Sequence, residues 1–329
     1  MKPNSGIQGS QPALAFHPRH IENHPPKMYR TFVILRHTFL EAIVQPIYPI
    51  LLAIGAGILV VFAMLPFFTL GEDTAMFKSV ALDVILLIVL ISTLFATSKS
   101  IFEEIEDRTM LTLMSKPVSK WEVLVGKYLG IICSAGVQVA ILGGILILCT
   151  WWRIPGDYMM NTRTLDDLEL KQIFDTRMMH ISGLIPALML MWFQISVLAA
   201  ISVALSVRFS LVVNLPVVIL LYIAGNLLRF LFPLSQGPLA KSGWLPQKLA
   251  YLMSLVLPYL AVFDLRDKTV LKHIALPNTG FADEIGAVTL GEIWRYVGVA
   301  GLNALCYAAF ALAVGMLLFQ GRELGGAEG

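Results

Sequence analysis

Residue types that carry chemistry are thinly spread through this 329-residue chain, and their spacing excludes several reaction classes. His17, His20 and His24 recur at short intervals near the start, a spacing that could offer imidazoles to a metal ion. Met159-Met160 and Met178-Met179-His180 carry thioethers, which suit Cu(I). Each has a plainer reading: a His-bearing tail, and Met pairs that pack at the edge of an apolar body. There is no H-E-x-x-H for zinc and no G-x-S-x-G nucleophile elbow. Gly126-Lys127 ends like a phosphate-binding loop, but Trp121 stands where G-x-x-x-x-G-K-[ST] needs its first glycine. Cys133, Cys149 and Cys306 are far apart in apolar runs and read as small hydrophobes, not as a disulfide or zinc framework.

The elements around these residues are greasy. Hydrophobic residues make up 57% of the chain and charged ones 14%, where soluble domains carry about 25% charged, so the composition is that of a membrane protein. A net charge of +2 gives no pull toward nucleic acid. Six apolar runs reach the roughly 20 residues a membrane helix needs, near 46–70, 80–101, 122–150, 181–206, 211–233 and 294–319. A seventh, Leu249–Phe263, is short and broken by Pro258, which suits a re-entrant or interfacial segment before the last span. Residues 1–27 are polar, lack a signal-peptide core, and read as a flexible tail. In 30–45, Phe32, Leu35, Phe39 and Ile43 form one helical stripe and Arg30, His37 and Glu41 another. That pattern predicts an interfacial helix, set off from the first span by Pro46 and Pro49.

Basic residues set the orientation. Arg30, Arg36, Lys99, Arg108, Lys116, Lys120, Lys127, Arg208 and Arg322 fall on one side, so both termini and the 102–121 stretch are expected in the cytoplasm. The short loop after the first span holds Lys78 beside Glu72 and Asp73, and the loops 151–180 and 234–293 are expected outside. Trp151 and Trp152 would close the third span as an aromatic belt. Gln138, Gln194, Asn214, Asn226 and Asn303 lie inside spans, with Asp83 and Arg229 near span ends. Polar groups in hydrocarbon pair, face the protein interior or line a path. Interhelical glue and a substrate path both remain open, the path through Asn226, Arg229 and Gln138. Gly143 and Gly144 suit close helix packing.

The densest charge sits between the second and third spans, in FEEIEDRTMLTLMSKPVSKWEVLVGKYLG from Phe102 to Gly130. Met110, Leu113 and Met114 take i, i+3, i+4 positions on a short helix, which Lys116-Pro117 ends because the residue before proline avoids the α region. Ser119 and Glu122 have the spacing of a capping box that starts the third span. Apolar side chains inside a charged ring suit a docking surface. An ordinary solvated loop with snorkelling lysines is an equal reading of the spacing.

The same stretch resembles ABC-2-type transporter permeases, whose cytoplasmic segment has the general form E-x-E-x-G-T-L-x-x-L-L-S-x-P-V-S-R-x-E-x-x-x-G-K. The matching positions here are Glu104, Glu106, Thr109, Leu113, Ser115, Pro117, Val118, Ser119, Lys120, Glu122, Gly126 and Lys127. Arg108 replaces the usual glycine, and Thr112 stands where an acid is frequent. Leu257–Arg266 is similar to a Pro-aromatic segment found before the last span in many such permeases. The resemblance implies an all-α integral membrane protein: six transmembrane helices, an N-terminal interfacial helix, a cytoplasmic coupling helix and the re-entrant or interfacial segment. It implies a single ABC-2-type transmembrane domain over 28–329 in the bacterial inner (plasma) membrane.

It further implies a permease subunit of an exporter, not itself an enzyme, whose ATP and Mg sit on a separate ATP-binding cassette subunit. A second permease copy, in a homodimer or heterodimer, and membrane lipid complete the expected partners. Spans two and five flank the dimer axis in that family, which favours Asn226 and Arg229 as path residues. The ATPase-coupling set it implies is Glu104, Glu106, Thr109, Met110, Leu113, Met114, Pro117, Ser119, Lys120, Glu122, Gly126 and Lys127. Two other readings compete: a membrane-embedded enzyme, for which Asp83 has no second acid or histidine at membrane depth, and a non-transport scaffold or sensor on the same fold.

Overall fold

The computed structural model describes residues 27–65, 73–107, 119–158, 167–231, 257–270 and 288–320, with 244–245, 247–248, 251 and 274–275 as separate pieces. The expected tail lies outside the described residues except for Lys27. The helices are α1 (Lys27–Val44), α2 (Ile47–Met64), α3 (Asp73–Thr97), α4 (Lys120–Tyr158), α5 (Asp167–Ser182), α6 (Leu184–Ser206), α7 (Leu211–Leu231), α8 (Arg266–Thr269) and α9 (Leu290–Gln320). Helix α3 runs on through a π-helical stretch, Ser98–Glu103, and a last α-turn, Glu104–Glu106. A 3-10 turn, Leu260–Phe263, precedes α8, and β1 (Ile274–Ala275) pairs in parallel with β2 (Val288–Thr289) for two residues each.

Six helical stretches are long and apolar enough to cross a membrane: Ile47–Met64, Thr74–Glu106, Lys120–Arg153, Ile173–Ser206, Leu211–Arg229 and Leu290–Gln320. The protein is an all-α, multi-pass integral membrane protein with six candidate spans, as the apolar runs require. Several spans are longer than expected. The 33 residues of Thr74–Glu106 reach about 50 Å, well past the ~30 Å hydrocarbon layer that apolar runs report. Lys78, expected in a loop, therefore lies inside α3 and is 1% exposed. The expected outer loop 151–180 is likewise partly helical, because α4 continues to Tyr158 and α5 begins at Asp167.

The span containing α6 is the hub. It is 72% buried over its apolar window, against 22% for α2 and α7, so α6 sits inside the bundle while α2 and α7 leave most of their surface on its outside. Leu190, Ile195, Val197, Leu198, Ala199 and Ala200 of α6 are all fully buried. Gly143 of α4 takes α6 at close range, since a Cβ there would lie 2.6 Å from Leu188 Cδ1. Gly144 meets nothing within 4 Å, so only one of the expected pair packs.

Helix α1 packs along the start of α4. A Cβ on Gly130 would lie 2.7 Å from the Leu35 carbonyl oxygen, and one on Gly126 2.9 Å from Ile34 Cγ2. Two small residues four apart let helix backbones approach closely. The groove receives Thr38 (1% exposed) and Ala42 (4%), while Phe32 of the apolar stripe stays 60% exposed. In a membrane protein bulky apolar side chains are at home in lipid, and small ones are what helix interfaces select. The chain turns at Gln45-Pro46 into α2, where the prolines predicted a break.

Two ends of the bundle follow. The near end holds α1, the last turns of the α3 span, the start of α4, the turn after α6 and the end of α9. The far end holds the starts of α3 and α6, the end of α7, and residues 257–270.

Candidate functional site

At the near end, α4 starts as the capping box predicts. Ser119 Oγ accepts from the Glu122 amide at 3.2 Å, and Glu122 Oε2 accepts from the Ser119 amide at 3.2 Å. Two of the orphan amide donors at the helix start are thereby satisfied. Lys120, half-buried, holds its Nζ 5.2 Å over the Phe319 ring at the end of α9.

Seven residues on, Lys127 is buried, at 3% exposed. Its Nζ donates to Glu104 Oε1 at 2.7 Å, to the Ser100 carbonyl at 2.6 Å and to Ser100 Oγ at 3.2 Å. Three acceptors meet the three hydrogens of the ammonium. Gly126, beside it, is filled by Ile34 of α1. The described members of the expected coupling set therefore divide. Glu106 and Ser119 are exposed, whereas Glu104, Gly126 and Lys127 join α3, α4 and α1 to one another. Thr109, Met110, Leu113, Met114 and Pro117 lie outside the described residues.

Next to this joint, Thr97 Oγ1 and Ser202 Oγ are 2.7 Å apart, and Asn214 Nδ2 donates to Ser202 Oγ and Ser206 Oγ, each at 2.8 Å. These bonds tie α3, α6 and α7 together, so Asn214 acts as interhelical glue.

At the far end, a cavity of about 180 Å³ opens among α3, α6, α7 and residues 263–266. Asp83, Gln194, Tyr222, Asn226, Arg229, Asp264 and Arg266 line its polar side; Leu82, Leu86, Ala187, Met191 and Phe263 line its apolar side. Asn226 and Arg229, two of the three expected path residues, are here. Gln194 Nε2 reaches Asn226 Oδ1 at 3.5 Å. Gln138 is not part of it: it is wholly buried in α4, one turn beyond Ser134, whose carbonyl accepts the Tyr48 hydroxyl at 3.1 Å. Neither end of its amide has a hydrogen-bond partner among the described residues.

Residues 257–270 close the cavity and are stitched on three sides. Arg229 donates to Asp264 at 2.7 Å, Arg266 donates to Asp83 at 2.6 Å, and Arg266 Nε lies 3.6 Å from Asp264. The Tyr296 hydroxyl of α9 donates to the Val262 carbonyl at 2.8 Å, and Lys78 Nζ donates to the Val270 carbonyl at 3.2 Å. A Cβ on Gly225 would lie 2.7 Å from the Pro258 carbonyl oxygen, so α7 and this strap touch through backbone. Asp264 and Arg266 went unassigned in the sequence reading. The signal available was an acid and a base two residues apart beside a Pro-aromatic run, facing two spans that each end in a lone opposite charge.

Among the described residues the candidate copper ligands do not converge. Met179 is buried, Met178 is 43% exposed, and His180 Nδ1 lies 2.9 Å from Lys78 Nζ. Met159, Met160 and the histidines at 17, 20 and 24 lie outside the described residues. Trp151 packs inward, edge-on to Phe174 at 6.2 Å with the Arg177 guanidinium 4.7 Å over its ring, while Trp152 is the outward member of the expected belt at 66% exposed.

A search of curated proteins found no match. A family model described as "ABC-2 family transporter protein" matches residues 59–324. That stretch takes in the whole α3–α4 junction, the far-end cavity and the last span. Six apolar helices, a charged junction between the second and third, and a match over most of the chain agree: this protein belongs to the ABC-2 transporter family.

Proposed function

We propose that the chain is the permease subunit of an exporter whose ATP is hydrolysed on a separate ATP-binding cassette subunit. ATP and Mg reside on that subunit, and a second permease copy completes the assembly. The family match over residues 59–324 carries this reading. The near end is cytoplasmic, as the basic residues there favour, and the membrane is the bacterial plasma membrane. The 102–121 segment docks on the ATPase, with Met110, Leu113 and Met114 as apolar anchors. The far-end cavity, through Asn226 and Arg229, is part of the substrate path, and residues 257–270 cover it from outside.

Supporting this division of labour, the near end is built as a rigid joint: α1, α3 and α4 are locked by Gly126, Gly130, Lys127 and Glu104. A push on a locked junction moves several spans together, and a ligand or partner shifts a two-state equilibrium only through different contacts in the two states. The test is ATP turnover. The purified chain alone is expected to hydrolyse no ATP, and turnover is expected once the ATP-binding subunit is added. Turnover by the chain alone would overturn the reading.

A further inference from the structure

We infer that Lys127 is a positioning residue that sets the direction in which span two leaves the membrane, by holding the π-helical turn Ser98–Glu103. The inference rests on the proposed function for its purpose, but not for its geometry. π-helices are rare, appear as single turns within α-helices, and cluster at functional sites. This one lies at the end of α3, directly before the segment proposed to meet the ATPase. It is pinned at both ends. Before it, Thr97 Oγ1 contacts Ser202 Oγ of α6 at 2.7 Å. Within it, the Ser100 carbonyl and hydroxyl both accept from Lys127 Nζ, at 2.6 and 3.2 Å. Beyond it, Glu104 takes the remaining ammonium hydrogen at 2.7 Å.

A lysine this deeply buried cannot reach a partner protein, so its place in the G-K pair that ends the family segment needs a different account. Its grip on Ser100 supplies one. A π-turn holds one residue more than an α-turn. Reversion to α-helix would rotate everything beyond the turn by about one residue, ~100°, because an α-helix has 3.6 residues per turn. Glu106 and Asp107, exposed just past the turn, would then face a different direction. The buried ammonium selects the π form by fixing the Ser100 carbonyl on the α4 side. The ion pair with Glu104 is secondary, because Glu104 is a quarter exposed and lies past the turn.

The experiment measures spin-label distance between Asp107→Cys and Arg208→Cys in the full chain in nanodiscs, with Cys133, Cys149 and Cys306 replaced by serine. Both positions are exposed, and Arg208 lies in the turn after α6. Lys127→Met is expected to shift the distance on the order of 5 Å, about the radius of a helix with its side chains. Lys127→Gln, which keeps an uncharged N–H donor group, is expected to shift it in the same direction by less, and serves if the Met variant does not fold. Lys127→Arg is expected to restore the parent distance, and Glu104→Gln to leave it unchanged. An unchanged distance in both the Met and Gln variants overturns the inference, as that is what a lysine that only adds stability would give. A shift in Glu104→Gln as large as in Lys127→Met also overturns it, because the ion pair and not the Ser100 carbonyl would then hold the turn. If no ATP-binding subunit co-purifies with the parent chain, the proposed function fails, while this distance still decides the role of Lys127.

Discussion

The near-end and far-end ion pairs join span ends in opposite ways. At the near end, Lys127 and Glu104 bridge α4 to α3 with the ammonium buried and all its hydrogens used. At the far end, the chain Arg229–Asp264–Arg266–Asp83 bridges α7 to α3 through a strap, with Asp83 about half exposed and Arg229 43% exposed. Breaking a buried pair leaves an uncompensated charge and costs much, whereas exposed pairs contribute little and weaken with salt. The same chemistry thus makes a joint at one end and a separable clasp at the other. The proposed function asks for both: a rigid receiver for the docked ATPase, and a closure over the proposed path that opens for little energy.

The largest effect is expected at the joint. Lys127→Ala should destabilise the chain by about 3 kcal/mol, the low end for a broken buried pair because Glu104 keeps some solvent. Thermal unfolding in detergent checks it; a loss no larger than that of Arg229→Gln would erase the contrast between the ends. Next, Gly130→Val should cost about 1–3 kcal/mol by forcing α1 off α4, since the added Cβ meets backbone and not a flexible side chain. Proteolysis of α1 in the variant, with the spans intact, measures that detachment. Smallest is the clasp: Arg229→Gln or Asp83→Asn should cost under ~1 kcal/mol. Raising salt from about 0.1 M to about 1 M, which shortens the Debye length to ~3 Å, should mimic them at the far end and leave the near end unchanged. Labelling of a cysteine placed at Tyr222 in the cavity reports the opening; labelling that ignores both salt and mutation would mean the clasp is not what closes it.

Much of this was legible in the sequence, for identifiable reasons. The six spans were, because a hydrocarbon layer demands long apolar runs, and so was the capping box at Ser119 and Glu122, because it is local. The inward face of α1 was not. The amphipathic pattern marks Phe32, Leu35, Phe39 and Ile43 as an apolar stripe for the membrane interface and is silent on which residues meet the protein, which the glycine groove of α4 selects by size at Thr38 and Ala42. Glu104 and Lys127 were recognised, but as members of a surface. Nothing local says that residues 23 apart meet inside the protein. A clue was present: a lysine within the apolar start of a span must find a partner. The same clue marks Lys78, whose contacts with Val270 and His180 span even greater sequence distances. Asn226 and Arg229 line one cavity because both lie on α7, three residues apart, whereas Gln138 shares with them only its polarity, and α4 carries it elsewhere.

The central claim, that this chain works through a separate ATPase docked on the 102–121 segment, is tested most directly by a pull-down of the tagged ATP-binding subunit, with membrane levels of each permease variant checked in parallel. Leu113→Ala should weaken assembly roughly thirty-fold, the equivalent of the ~2 kcal/mol typical of a truncated apolar anchor. Lys120→Ala, whose ammonium already rests over Phe319, should change it little. Normal assembly by Leu113→Ala together with loss in Lys120→Ala would contradict the account, because the docking surface would then be electrostatic and the apolar anchors misassigned.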